Sequence, residues 1–233
     1  LYAFSDFHLS GDPPTKPMDI FGENWKNHRE KILSAWKETI TAGDTVIMAG
    51  DISWATHLED ALSDLKTLSA LPGRKIIVRG NHDYWWNTVS KMKRMTDNAF
   101  EFIFNSALSV ENIALAGTRG WIPETSKKIT EEDKVIILRE QGRLERSLIE
   151  AEKFNCEKIF AILHYPPFDE QRRPTKMMEI MKSHGVTDCI YGHIHGKQNF
   201  NNLPKELEGI QLHLTSSDYL DFKPLLLTEW NES

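Results

Sequence analysis

The sequence predicts an α/β fold, because short apolar runs typical of strands alternate with longer amphipathic runs typical of helices. Strand–helix–strand units at the start favour a parallel sheet, and three short β-type runs near the middle favour a second one. Two packed sheets with helices outside fit this order, although a three-layer doubly wound sheet would show a similar pattern. The 233 residues, 40% of them hydrophobic, suffice for one sizeable core, so we predict a single domain over residues 1–233.

The first half of the chain is predicted to alternate between strands and helices. Apolar residues near helical spacing predict a helix over residues 23–41. Thr56 begins a capping-box pattern for a second helix, which ends at Pro72-Gly73, and a third helix is predicted around residues 88–95. The predicted strands cover residues 1–4, 45–49, 75–78, 100–104, 107–110 and 113–116.

The second half repeats this alternation. Thr130 is predicted to cap a long helix that extends to about residue 154, and a shorter helix follows over residues 175–184. The predicted strands cover residues 158–163, 188–191, 211–215 and 225–229.

Composition argues against several classes of function. The net charge of −6 and the lack of a long Lys/Arg run disfavour binding to nucleic acid or to a membrane surface. No apolar stretch approaches the ~20 residues that span a bilayer. Cys156 and Cys189 could form one disulfide, but so few cysteines fit a reducing cytoplasm better, and we expect a cytoplasmic protein. The chain begins inside its first predicted strand, so we expect native residues before Leu1.

Five short motifs each place a potential metal ligand directly after a strand-like run. Loops that leave the carboxyl ends of strands in an α/β sheet converge on the ligand crevice, so side chains far apart in sequence can meet there. We therefore predict that the motifs form one site. They are Asp6-Phe7-His8, Gly50-Asp51, Gly80-Asn81-His82-Asp83, His164 and Gly192-His193-Ile194-His195.

The residue types in these motifs suit a site with two divalent metal ions. Ions ~3.5–4 Å apart can hold a phosphate and a hydroxide together, which requires a bridging carboxylate with imidazole or amide ligands around it. Asp51 is the natural bridge. A glycine before a ligand, as at Gly50, Gly80 and Gly192, is either an ordinary turn residue or a position where the backbone approaches the metals closely.

This motif series resembles that of the calcineurin-like metallophosphoesterase superfamily, in the same order from residue 6 to residue 195. The longer strings over residues 80–86, 117–121 and 217–222 resemble a bacterial branch of predicted phosphohydrolases. The resemblance implies a four-layer α/β sandwich, with two facing mixed β-sheets and helices on the outside.

The resemblance also implies the roles of the site residues. Asp51 would bridge two ions, and His82 would face the substrate phosphate, oriented by Asp83. If Asp6 and Asp51 are the only acidic ligands, about two positive charges stay uncompensated, so we expect an electropositive pocket in an acidic protein. The implied ligands are Asp6, His8 and His195 for one ion, and Asn81, His164 and His193 for the other.

The predicted function is hydrolysis of a phosphoester by attack of a metal-bound hydroxide. A phosphodiester of a small molecule or nucleotide is favoured over a phosphomonoester or phosphoprotein, and a nuclease is disfavoured by the acidic chain. A non-catalytic scaffold on the same fold is the alternative from another class. Manganese is expected from the resemblance, although Fe, Zn, Co or Ni suits the same ligands. The expected partner is a small phosphorylated substrate, and the oligomeric state stays open.

Aromatic and basic residues near the motifs are candidates for substrate contact. Trp85 could stack on a flat substrate group, and Arg119 could bind phosphate oxygens, with core packing and a solvated surface as the respective alternatives. The four remaining histidines are expected to be structural or solvated. They are His28, His57, His184 and His213.

Overall fold

A computed structural model, which describes residues 1–229, contains two mixed β-sheets and five α-helices. The predicted α/β fold with two mixed sheets is confirmed. The chain divides into a first unit, Leu1–Phe102 together with the segment that begins at Thr215, and a second unit, Ile103–Leu214. Each unit contains one sheet. The prediction of a single domain over residues 1–233 stays a prediction.

The predicted strands and α-helices occur in the predicted order, and one further strand, Glu206–Leu207, was not predicted. The strands are β1 (Tyr2–Ala3), β2 (Thr45–Met48), β3 (Arg74–Ile77), β4 (Glu101–Phe102), β5 (Ala107–Val110), β6 (Ile113–Thr118), β7 (Lys158–Leu163), β8 (Asp188–Tyr191), β9 (Glu206–Leu207), β10 (Ile210–Leu214) and β11 (Leu225–Leu226). The α-helices are α1 (His28–Thr39), α2 (Leu58–Ser69), α3 (Val89–Met95), α4 (Glu131–Glu152) and α5 (Lys176–Ser183).

The first unit contains a five-stranded sheet in the order β11-β1-β2-β3-β4. Neighbours from β1 to β4 are parallel, and β11 pairs antiparallel with β1. All four residues of β2 are buried, as expected for a parallel strand covered on both faces. Apolar residues of α1 and α2, including Trp36 and Leu65, pack in the core of this unit. The carboxyl ends of β1 and β2 therefore lie side by side.

The second unit contains a six-stranded sheet in the order β5-β6-β7-β8-β10-β9. The four central strands are parallel, whereas β5 and β9 are antiparallel edges. Helix α4 begins at the predicted cap, because Thr130 and Asp133 form a reciprocal capping box. Its residues Leu144 and Leu148 join the core of this unit.

Two predicted helix starts are wrong. The predicted helix over residues 23–41 is interrupted, because a short 3₁₀ turn at Glu23–Trp25 precedes α1 and Asn27 between them has a left-handed φ of 54°. The capping box predicted at Thr56 is absent from α2, whose N-cap is His57 and shows no side-chain capping bond. Sequence spacing alone did not reveal that the chain still runs extended at His57.

Two expectations from composition can be compared with the described residues. No helix among residues 1–229 combines the length and the apolar character that a membrane span requires. Cys156 and Cys189 are both free thiols, and Cys189 is buried.

Candidate metal centre

Asp6, His8 and Asp51 come together in the first unit, where two neighbouring parallel strands end. The backbone N–H of Asp6 donates to the carbonyl of Gly50 and that of His8 to the carbonyl of Asp51, both at 3.0 Å. These bonds continue the pairing of β1 with β2 beyond the strands. Asp6, His8 and Asp51 are 0–3% exposed. Potential ligand atoms of Asp6 lie within 4.8 Å of one of His8 and within 4.8 Å of one of Asp51. The predicted ligands of the first two motifs thus form one buried cluster.

Hydrogen bonds orient both carboxylates of this cluster. Oδ2 of Asp6 accepts from the hydroxyls of Ser5 and Ser216, at 2.8 and 3.2 Å. Oδ1 of Asp51 accepts from the backbone N–H of His82 at 2.8 Å. Its other oxygen, Oδ2, lies 3.8 Å from Nε2 of His8. The two oxygens of Asp51 therefore face two different motifs.

Four of the predicted ligands adopt a backbone conformation that is rare for residues with a side chain. The φ angles are 58° at Asp6, 48° at His8, 55° at Asp51 and 72° at His193. Such left-handed residues are strained, and they concentrate at functional sites, where the surrounding structure holds them. The conformation therefore supports a functional role for these loops.

Glycine is required at two positions beside Asp51. Gly50 has a φ of 96°, which is unfavourable for other residues. A Cβ atom at Gly80 would overlap with the carboxylate and the backbone nitrogen of Asp51. These glycines thus allow the second and third motifs to approach each other closely.

The carboxylate of Asp83 fixes the loops that carry Asp51 and Asn81. One oxygen accepts from the backbone N–H groups of Asp51 and Gly80, at 2.9 and 2.8 Å. The other accepts from the N–H of Ile52 at 2.9 Å and from the Trp85 indole at 2.9 Å. Asp83 is fully buried. These bonds hold the backbone around Asp51, and the expected role of Asp83 in orienting the His82 ring stays a prediction.

His82 lies within an aromatic cluster. The centroid of its ring is 4.2 Å from that of Trp54, 5.7 Å from that of His8 and 6.2 Å from that of Tyr84. Trp54 also stacks on His8, with 5.0 Å between the centroids, and Lys16 lies over the Trp54 ring. Tyr84 is 56% exposed. Trp54 therefore packs against a predicted ligand and against the predicted phosphate-facing histidine at once.

The second unit brings together the remaining histidine ligands. The ring centroids of His164 and His193 are 5.1 Å apart, and the carbonyl of His164 accepts from the N–H of Gly192 at 3.1 Å. The ring of Tyr165 lies 4.1 Å from that of His193. His164 is buried, whereas His193 and His195 are half-buried and line one groove. The fourth and fifth motifs are thus neighbours within this unit.

A family model for calcineurin-like phosphoesterases matches residues 1–197, which include all five motifs. The chain belongs to this family. The predicted resemblance is confirmed, and the chain is a metal-dependent phosphoester hydrolase.

Solved structures with this fold cover almost the whole chain. A protein of unknown function from Aquifex aeolicus is 18% identical, with a TM-score of 0.52, over 96% of this chain and 93% of its own. Phosphopantetheinyl hydrolase from Mycobacterium tuberculosis is 13% identical, with a TM-score of 0.54, over 100% and 97%. A protein from Thermus thermophilus is 13% identical, with a TM-score of 0.60, over 91% and 87%. Identities this low show a shared fold only. Among proteins with curated descriptions, none matches the sequence significantly.

The chemistry of the donors fits the divalent metal ions on which this family depends. Carboxylate oxygens and imidazole nitrogens are ligands that Mn, Fe and Zn accept, and the buried cluster of the first unit offers both types. Two buried carboxylates with ligand atoms so close together are costly unless positive charge accompanies them. A cation beside Asp6 and Asp51 would remove that cost.

Trp85 and Arg119, the two residues predicted to contact substrate, lie in different surroundings. Trp85 is 1% exposed, so its ring faces have no room for a substrate group, and its indole donates to Asp83. Core packing, the alternative considered for this residue, describes its position. The Arg119 guanidinium lies over the Trp121 ring and 3.7 Å from the buried carboxylate of Glu140. Its phosphate contact stays a prediction.

The other histidines have positions typical of structural or exposed residues. His184 pairs with Glu152 and His213 with Asp188, at 2.7 and 2.8 Å, while His57 is exposed. His28 is buried against Trp25, and burial lowers the pKa of its imidazole.

Sequence reasoning missed three residues that contact the motifs. Trp54 follows Asp51 by three positions, so the reasoning applied to Trp85 after His82 could have found it. Tyr165 directly follows His164, which is a similar signal. Ser216 offered none, because its bond to Asp6 joins residues 210 positions apart.

Proposed function

We propose that this protein hydrolyses a phosphodiester of a small molecule or nucleotide at a centre of two divalent metal ions. Asp6, His8 and His195 would hold one ion, Asn81, His164 and His193 the other, with Asp51 shared between them. The observation that carries this proposal is the buried, left-handed cluster of Asp6, His8 and Asp51 in the first unit. Manganese is the metal we propose.

Bound divalent ions supply Lewis acidity, which polarises phosphoryl oxygens and lowers the pKa of a water molecule towards neutrality. Residues of the chain position His82. Asp51 anchors the backbone of His82 through its N–H, and Trp54 limits the orientation of the imidazole. We propose that His82 stabilises the charge on the phosphate or protonates the leaving group.

The groove beside His193 and His195 supports a diester in preference to a monoester. It has a volume of about 470 Å³, and Tyr165 and Ile122 contribute to its walls. A diester needs room for two organic groups, and this groove offers a place for the second. A monoesterase that acts on a small phosphate or a phosphoprotein is the alternative.

The first experiment compares initial rates on bis(p-nitrophenyl) phosphate and p-nitrophenyl phosphate. The full chain is stripped of metal with a chelator and assayed with and without added Mn. We expect manganese-dependent hydrolysis that is faster on the diester. Faster hydrolysis of the monoester would establish the alternative, and rates independent of metal would refute the proposed centre.

Two variants separate the proposed roles of Asp51 and His82. Asp51→Asn should lower the content of both metals and abolish turnover, because the shared ligand loses its charge. His82→Ala should keep both metals and lower kcat by roughly 10²–10⁴-fold, the range typical of a lost acid–base group. Metal content is measured by elemental analysis after dialysis. Equal metal loss in the two variants would contradict the separate roles.

A further inference from the structure

The groove of the second unit contains an arginine, Arg172, that the proposed hydrolysis does not use. His193 and His195 lie on one side of it, and Tyr165 contributes an aromatic wall. The guanidinium of Arg172 also lines the groove. A substrate whose phosphorus lies at the two histidines would therefore extend towards an arginine.

A buried carboxylate builds the loop that carries Arg172. Oδ1 of Asp169 accepts from the backbone N–H groups of Gln171 and Arg173, both at 2.9 Å. Its Oδ2 pairs with the guanidinium of Arg173, at 2.8 Å from Nε and 2.7 Å from Nη2. The N–H of Arg172 donates to the Asp169 carbonyl, and Phe168 and Pro174 pair as a β-bridge at the base of the loop. Asp169 thus fixes the loop and neutralises one of its two arginines.

The second arginine, Arg172, is held differently. Its φ is 62°, and its guanidinium lies over the Phe168 ring at 5.3 Å. The hydrogen bond from Nη2 to the carbonyl of Asn199 is long, at 3.5 Å. Within residues 1–229, its contacts are therefore a ring and a carbonyl, and no carboxylate neutralises its charge. A half-buried guanidinium with unused donors is suited to bind an anion in a bidentate manner.

Two acidic residues line the groove, and Arg173 neutralises one of them, Asp169, so that only Glu170 works against anion binding. Glu170 lines the groove and is exposed. Water and salt screen an exposed carboxylate strongly, whereas the ring beneath Arg172 lowers the local polarity. The attraction of Arg172 for a bound anion should therefore exceed the repulsion from Glu170.

We infer that Arg172 binds a second phosphate group of the substrate, so that the enzyme acts on phosphoesters that carry a further phosphate beyond the scissile one. This inference rests on the proposed function, because it takes His193 and His195 as the place of the scissile phosphate. Tyr165 and Ile122 would contact the organic part between the two phosphates. Phosphate is an anion that the guanidinium fork binds in a bidentate manner.

The test compares two competitors that differ only in the second phosphate. Adenosine 5′-monophosphate and adenosine 3′,5′-bisphosphate are used against bis(p-nitrophenyl) phosphate with the manganese-loaded full chain. The ratio of their inhibition constants is measured for the wild type, Arg172→Gln and Arg139→Gln. Arg139 is exposed on α4 and outside the groove, so its variant controls for the change in net charge.

We expect the wild type and Arg139→Gln to prefer the bisphosphate, and Arg172→Gln to lose about tenfold of this preference, the usual scale for a charged hydrogen bond. An unchanged ratio in Arg172→Gln, or no preference in the wild type, would overturn the inference. Calorimetric titration of the same two nucleotides measures the ratio without turnover. Failure of metal-dependent hydrolysis would therefore count against the proposed function, and the binding ratio would still decide the role of Arg172.

Discussion

In the first unit the buried carboxylate of Asp83 fixes the loops around Asp51, and in the second unit that of Asp169 fixes the groove loop. Both accept hydrogen bonds from several backbone N–H groups. They differ in the side chain that donates the remaining hydrogen bond. For Asp83 it is the neutral indole of Trp85, and for Asp169 it is the charged guanidinium of Arg173.

The two carboxylates also differ in what surrounds them. Asp83 receives its bonds inside a well-packed core, whereas the arginine that pairs with Asp169 is largely exposed. Loss of an acceptor strands buried donors in the first case, but water can reach the freed groups in the second. We therefore expect the first unit to depend on Asp83 for its stability and for metal binding. The second unit should depend on Asp169 mainly for the geometry of the groove.

Replacement of Asp83 should have the largest effect. Asp83→Ala leaves the buried N–H groups of Asp51, Ile52 and Gly80 without their acceptor, so we expect a loss of roughly 3–5 kcal/mol in the free energy of unfolding. Metal content should fall as well, because the Asp51 loop loses its support. Urea denaturation and elemental analysis measure both quantities. A variant with wild-type stability and two bound metals would show that Asp83 does not support the loop.

Replacement of Asp169 should act on the groove without reaching the metals. Asp169→Ala releases the loop that carries Arg172, so the preference for the bisphosphate should fall about tenfold, as in Arg172→Gln. Metal content should equal that of the wild type. Inhibition constants and elemental analysis are the measurements. Loss of metal in this variant would erase the contrast between the two carboxylates.

A smaller effect is expected when only the indole of Trp85, which donates to Asp83, is removed. Trp85→Phe loses one hydrogen bond and some core volume, which should cost about 1–2 kcal/mol in the free energy of unfolding with the metals retained. Trp121→Phe is the matched control, because its indole also donates to a carboxylate, Asp133, but is half-buried. Urea denaturation should show a smaller loss for Trp121→Phe. Similar losses in both would mean that burial does not set the cost.

The smallest effect concerns acid. Burial raises the pKa of Asp169, but the bonds from Arg173 and from backbone amides outweigh it, so this pKa lies below its ordinary value of 3.8. A carboxyl with a lowered folded-state pKa stabilises the fold above the unfolded-state pKa and loses this contribution as the pH falls through the folded value. The wild type should therefore exceed Asp169→Asn in free energy of unfolding by its largest amount at pH 7 and by a smaller amount at pH 3. Urea midpoints at the two pH values measure this difference. A difference that is larger at pH 3 than at pH 7 would contradict the predicted pH dependence.

The sequence was most informative where strand ends carry unusual residues. Asp6, His8 and Asp51 follow short buried strands, and the rule that such ends converge brought them together correctly. The two-sheet architecture was also predicted, because strand–helix–strand units at the start are followed by short β-type runs. The resemblance was still needed to exclude a single doubly wound sheet.

Interactions between distant positions were not accessible from the sequence. Trp85 was a candidate for stacking because it follows His82, but it lies in the core beside Trp86, whose ring in turn packs on Phe102. The contacts of Asp83 were likewise not foreseen, since nothing local shows that its oxygens face the backbone of residues 51–53. Burial and long-range hydrogen bonds, which decide these roles, are properties of the folded chain.

The hydroxyl of Ser216 on Asp6 has a practical consequence for anyone who shortens this protein. The family match ends at residue 197, so a chain trimmed to that point would keep all seven proposed metal ligands. It would nevertheless lose Ser216, and with it β11, the strand that covers the edge of β1. The segment beyond the recognisable family region therefore supports Asp6, and a shortened chain should keep β11 and the bonds that follow it, in which Leu227 and Thr228 pair with Leu1.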